Sequence, residues 1–148
     1  MAIDATRYWR ERHRTFGPGW CDRYWTAVDQ PHRHALVEIL RTLAPFDSLI
    51  EIGCNVGTNL RLIREAFPGV RLGGYDVNPS AIAFGRERLV DITFRVADFR
   101  EATPAPADVI LSCYALCYCP PENLDTVLRG LRVAAKKGLV LAEPLHPP

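Results

Sequence analysis

From Ser48 onward, apolar runs of five to seven residues alternate with longer segments whose apolar positions recur every three or four residues. The short runs "SLIEI", "VRLGGYD", "ITFRVAD", "DVILSC" and "GLVLAE" predict five strands. Between them, "TNLRLIREAF" places Leu60, Ile63 and Phe67 on one helical face, and Pro79 opens a second helix in "PSAIAFGRERL". "ENLDTVLRGLRVAAK" predicts a third, with Leu124, Val127, Leu128, Leu131 and Ala135 along one side. This alternation predicts an α/β fold: a doubly wound, mostly parallel five-stranded sheet with helices on both faces. Before Ser48 the pattern is helical throughout. Tyr8, Trp9, Arg12 and Phe16 share a helical spacing over residues 4–16, and "GPGW" breaks it. Trp20, Tyr24, Trp25 and Val28 predict a second helix, and Leu36, Ile39, Leu40 and Leu43 a third that begins at Pro31 and ends before Pro45.

Ligands of such sheets sit at the carboxyl ends of the strands, near the point where the strand order reverses. The first strand runs into "GCNVG". A Cβ at Gly53 would hold a ligand off the backbone, and Asn55 tolerates left-handed backbone angles. Gly57 stands at a helix start, where free N–H groups favour an anion. The spacing is not that of a dinucleotide site. Glu51 at the end of the first strand, Asp76 at the end of the second and Asp98 at the end of the third put three carboxylates at neighbouring strand ends. That set suits a nucleoside bearing a cation better than a pyrophosphate.

Composition narrows the class further. The chain has 148 residues, 48% hydrophobic and 24% charged, and a net charge of +1, so no overall field draws a polyanion. No apolar run is long enough for a bilayer, and the first residues lack a signal-peptide core, which together predict a cytoplasmic chain with reduced thiols. The five cysteines include Cys113, Cys117 and Cys119 after the fourth strand, with Cys54 after the first. They read as small apolar side chains around a pocket, with no metal, the alternative being a thiolate site for a soft metal.

With these residues in place, the sequence resembles the class I S-adenosylmethionine-dependent methyltransferase family. "EIGCNVG" is similar to its first motif, "DVILSCYALCYCP" to its fourth-strand motif and "GLVLAEP" to its fifth strand, a likeness running from about Ser48 to Pro144. It implies S-adenosylmethionine as cofactor, held by Glu51, Gly53, Cys54, Asn55, Gly57, Asp76, Val77, Asp98, Phe99 and Cys113. Asp76 would bind the ribose, and Asp98 the adenine amino group with Phe99 beside the ring. Asn55 departs from the glycine common at its place. The implied activity is methyl transfer to a small-molecule acceptor. The alternatives are a catalytically silent cofactor-binding or partner-activating subunit, and an RNA methyltransferase.

The catalytic group is not assigned by these motifs. Tyr8, His13, Cys117 and Tyr118 are the candidates, with Tyr24 as a further base or orienting group. The expected organisation is a single domain: residues 1–45 a helical lid, 46–144 the cofactor-binding core, 145–148 a tail. Family members usually add two further strands after the fifth. Without them the expected order is 3-2-1-4-5, and the edge strand over residues 138–143 is a candidate surface for a homodimer.

Overall fold

The computed structural model describes residues 4–17 and 19–144; the expected tail at 145–148 lies outside them. Five parallel strands form one sheet, as the alternation of elements predicts, in the order β3-β2-β1-β4-β5 that the family resemblance implies. They are β1 (Ser48–Ile52), β2 (Arg71–Asp76), β3 (Thr93–Val96), β4 (Ala107–Cys113) and β5 (Ala135–Ala142). α5 (Thr58–Ala66), α6 (Pro79–Arg88) and α7 (Pro121–Ala134) are the crossovers. β4 is buried at all seven positions, which is why it reads as a continuous apolar run instead of an alternating one.

The sheet separates two apolar layers. Leu49, Leu60, Ile63, Ile82, Val109 and Leu111 pack on one side, joined by Leu36 and Leu40 of α4 (Pro31–Leu43). Ile52, Ile110, Val127 and Leu131 pack on the other, under α7. Each such aliphatic side chain contributes roughly 1.5–3 kcal/mol through burial.

Two boundaries differ from the periodic reading. The first predicted helix is broken into α1 (Ala5–Arg10) and α2 (Arg12–Phe16), because Glu11 between them takes bridge-region angles, φ −102° and ψ 8°. The fifth strand begins three residues early. Ala135, expected on the face of α7, instead pairs with Ala107, and helix passes into strand without a loop. α3 (Trp20–Thr26) and a 3-10 turn at Ala27–Asp29 complete the N-terminal helical segment. That segment is fastened by Asn78, which caps α6 through its Oδ1 and donates from Nδ2 to the carbonyl of Trp9 at 2.7 Å. No helix among the described residues is long and apolar enough to cross a membrane.

Candidate functional site

β1 pairs with β2 on one side and β4 on the other, so the chain departs in opposite directions on either side of β1. A cavity of about 310 Å³ opens there. Its floor is Ile52 to Asn55 after β1, Tyr75 to Val77 at the end of β2, Ala97 to Phe99 after β3, and Cys113 to Ala115 after β4. Its roof is Ala5, Thr6, Trp9, Tyr24, His32 and Arg33 from the N-terminal helical segment, and Tyr118 stands at its side.

The turn after β1 is built from left-handed residues. Gly53, Asn55 and Gly57 have φ of 68°, 51° and 84°. Gly53 is required twice: a Cβ there would sit 2.3 Å from the Cβ of Ala115. Gly57 does not line the cavity. Its bare Cα faces Phe94 and Leu89, so packing requires a glycine there. Asp76 holds the turn from below. Its Oδ2 accepts from the N–H of Asn55 and its Oδ1 from that of Asn78, each at 2.8 Å. Burial raises the pKa of Asp76, against the hydrogen bonds from Asn78, Asn55 and Val77.

Glu51 is buried but does not line the cavity. Asn59 covers it. Asn59 Nδ2 donates to Glu51 Oε1 at 2.6 Å, and Asn59 Oδ1 accepts from Arg33 Nη1. Glu51 Oε2 and Asn55 Oδ1 are left buried with no partner. Burial pushes Glu51 up to about 7, with Asp76 adding to the rise and Asn59 and Arg33 opposing it. A carboxyl that binds its proton more tightly when folded destabilises the folded state as pH rises from its ordinary 4.5 to about 7. A rise of this size corresponds to about 3 kcal/mol. Urea denaturation of the chain without added ligand should therefore show stability falling over this pH window, and Glu51→Gln should flatten that fall. Parallel curves for the two proteins would remove the assignment.

Asp98 is buried at the far end of the cavity and held by Arg100, whose Nη2 donates to Oδ2 at 2.7 Å and Nε to Oδ1 at 3.0 Å. Burial alone would raise its pKa; the Arg100 hydrogen bonds and charge outweigh it and hold the carboxyl below its usual value. Asp98 is thus a fixed, ionised acceptor beside Phe99.

Of the catalytic candidates, Tyr118 and Tyr24 line the cavity, and burial raises the pKa of Tyr118. Tyr8 and His13 lie outside the lining, Tyr8 against Trp9 and Arg12 and His13 with its Nδ1 buried and unpaired. Cys117 also lies outside, its N–H donating to Glu143 Oε2 at 3.2 Å. Burial pushes the thiols of Cys117 to about 11 and Cys113 to about 12, so neither is an activated nucleophile. Cys54 and Cys113 belong to the core cluster on one side of the sheet and Cys119 to the other. Among the described residues no group of three or more His, Cys, Asp or Glu side chains is arranged to hold a metal ion.

Four further side chains were not among the candidates, Arg33 and His32 from outside the motifs and Tyr114 and Glu143 from within them. Arg33 is the one arginine in the lining among the described residues. His32, also in the lining, stacks 5.3 Å from the ring of Tyr114, and burial together with the Arg33 charge keeps its pKa below 6.5. Tyr114 has a left-handed φ of 55°, strained for a bulky residue. Glu143 fastens this loop by accepting from Ser112 Oγ at 2.5 Å and from the N–H of Ala115 at 3.3 Å and of Cys117.

Residues 50–141 match the family model described as a methyltransferase domain. Trans-aconitate 2-methyltransferase of Methylobacterium radiotolerans is 29% identical over 104 residues, which cover 66% of this chain and 40% of the relative. The malonyl-acyl-carrier-protein O-methyltransferase of Anoxybacillus flavithermus is 35% identical over 77 residues, 51% of this chain and 29% of that one. The chain therefore spans about half or less of the length of these curated relatives. The fold is shared with the amino pentose methyltransferase from Micromonospora echinaspora, with a TM-score of 0.68 at 20% identity over 92% of this chain and 56% of the other. It is shared too with the magnesium protoporphyrin IX methyltransferase from Synechocystis PCC 6803, with a TM-score of 0.69 at 19% identity over 95% of this chain and 76% of the other. With the family match extending over more than half of its residues, the chain belongs to the class I S-adenosylmethionine-dependent methyltransferases.

Proposed function

We propose that this domain binds S-adenosylmethionine in the cavity at the β1–β4 switch point and transfers its methyl group to a small-molecule acceptor. The observation that carries the reading is a set of groups matched to a zwitterionic nucleoside. Asp76 and Asp98 stand at neighbouring strand ends, Glu51 Oε2 and Asn55 Oδ1 are buried acceptors without donors, and Arg33 has no carboxylate partner among the described residues. In this reading Asp76 accepts from the ribose hydroxyls, and Asp98 accepts from the adenine amino group with Phe99 against the ring. The turn at Gly53 to Asn55 lies under the amino-acid part. Arg33 receives the carboxylate, and the cationic end draws Glu51, behind Asn59, toward its ionised form.

When bound, the cofactor supplies an electrophilic methyl group activated by the sulfonium. The chain's own contribution is alignment in a pocket shielded from water by Trp9, Tyr24 and Tyr118. Among the lining residues His32 is the candidate base for an acceptor that must lose a proton. It is neutral at pH 7 because its pKa lies below 6.5, and it stands at the rim beside Tyr114.

Calorimetric titration with the demethylated cofactor should show one site per chain, and NAD should show none. Transfer of a labelled methyl group should then be measured over a panel including trans-aconitate, amino sugars and short RNA. No binding of the demethylated cofactor overturns the reading. Binding with methyl transfer confined to RNA overturns the small-molecule part.

A further inference from the structure

The N-terminal helical segment carries a cation that its surroundings do not neutralise. The guanidinium carbon of Arg12 lies 3.9 Å from the ring centre of Phe16, 4.7 Å from that of Tyr8 and 4.9 Å from that of Trp9. The split between α1 and α2 permits this, because Arg12 opens α2 directly after the break. Ring faces replace part of the lost hydration of a cation, yet they offer its N–H groups no oxygen. Arg12 Nε and Nη1 are buried without a hydrogen-bond partner, and so is Trp9 Nε1. The adjacent carboxylate, Glu11, is taken up by Arg7 and Arg14, each at 3.6 Å. Buried donors are nearly always satisfied, and a buried charge without a counter-charge is costly. The arrangement is therefore short of an anion.

The site through which an anion would act is also visible. Arg12 Nη2 donates to Tyr24 Oη at 3.4 Å. A phenol that accepts from a guanidinium keeps its own proton free to donate. Tyr24 lines the cavity, as do Trp9 and Tyr118, whose rings meet edge to face at 5.2 Å. The carboxylates of the cavity lining, Asp76 and Asp98, come from the ends of β2 and β3, and each is already engaged by protein donors, Asp76 by the N–H groups of Asn55 and Asn78 and Asp98 by Arg100.

We propose that Tyr24 and Tyr118, backed by the buried charge of Arg12, form an oxyanion subsite that selects an acceptor bearing a carboxylate or phosphate group. This rests on the methyl-transfer reading above and names the substrate class of that site. The hydroxyl of Tyr24 touches the anion; Arg12 is a positioning and charge-supplying residue behind it, half-buried with its Nε and Nη1 shielded by the rings. Arg33, held beside Asn59 and not in contact with Tyr24 Oη, remains for the cofactor's own carboxylate.

The test is calorimetric titration of the full chain with succinate, with inorganic phosphate and with the neutral succinamide, each with and without saturating demethylated cofactor. Succinate or phosphate should bind and succinamide should not; which of the two binds more tightly identifies the oxyanion. Tyr24→Phe and Arg12→Met should each weaken that binding at least tenfold, Arg12→Lys should restore part of it, and affinity of Arg12→Lys for the demethylated cofactor should change less than twofold. Equal binding of succinamide, or unchanged anion affinity in Tyr24→Phe, overturns the subsite. A tenfold loss of cofactor affinity in Arg12→Lys and Tyr24→Phe also overturns it, since Arg12 would then serve the cofactor. Should Arg12→Met melt early, Tyr24→Phe, which removes a single oxygen, decides. A wild-type chain that binds no cofactor at all sinks the methyl-transfer reading, while the titrations without cofactor still judge the subsite.

Discussion

Gly53→Val is expected to lower folding stability by roughly 2–5 kcal/mol and to abolish binding of the demethylated cofactor. Two costs combine. The residue holds φ at 68°, a left-handed angle that penalises any side chain. Its Cβ would also lie 2.3 Å from the Cβ of Ala115 on the neighbouring β4 turn, where neither backbone can withdraw without opening the sheet end. The second cost changes the meaning of this glycine. Read from the motif, a side chain here clashes with the ligand alone; in the structure it clashes first with the protein, so stability and binding fall together. Gly69→Ala is the control, since Gly69 has φ of 90° with nothing within 4 Å of a built Cβ. It should cost only about 1 kcal/mol, the strain by itself. Urea denaturation of both variants makes the comparison, and equal losses would remove the steric argument.

Asp76→Ala should weaken binding of the demethylated cofactor by roughly 1.5–3 kcal/mol, about tenfold to a hundredfold or more, as for other hydrogen bonds to a charged group. The carboxylate has a second role. It accepts from the N–H groups of Asn55 and Asn78 at 2.8 Å, so its removal leaves two backbone donors unpaired. The alanine variant should therefore also melt earlier. Asp76→Asn separates the roles, because one amide oxygen cannot accept from both N–H groups and still serve the ribose. Calorimetry on the two variants, each checked for folding by its thermal transition, gives the answer. Unchanged affinity in the alanine variant would withdraw Asp76 from the ribose.

The parallel sheet follows from local pattern, and its strand order from the family resemblance that the motifs carry. A parallel sheet with right-handed crossovers admits few arrangements, and runs such as "DVILSC" declare strands buried on both faces. Asp76 and Asp98 were legible for the same reason: parallel strands end at one edge, so residues that close successive strands become neighbours whatever the details between them. Asn55 was legible from its tolerance of left-handed angles. The tertiary structure alone decided the rest. It screened Glu51 behind Asn59, gave Gly57 to Phe94 and Leu89, and turned His13 and Tyr8 out of the cavity lining. It brought in Arg33 and His32 from a helix that reads only as an apolar stripe, and Glu143 from beyond the fifth strand to fasten Ser112 and the N–H groups of Ala115 and Cys117. Periodicity reports which face of an element is buried, not what it is buried against. Whether Arg12 meets a carboxylate or three rings is set by contacts among α1, α2 and the neighbouring elements, and that balance of burial against pairing exists only once the chain is folded.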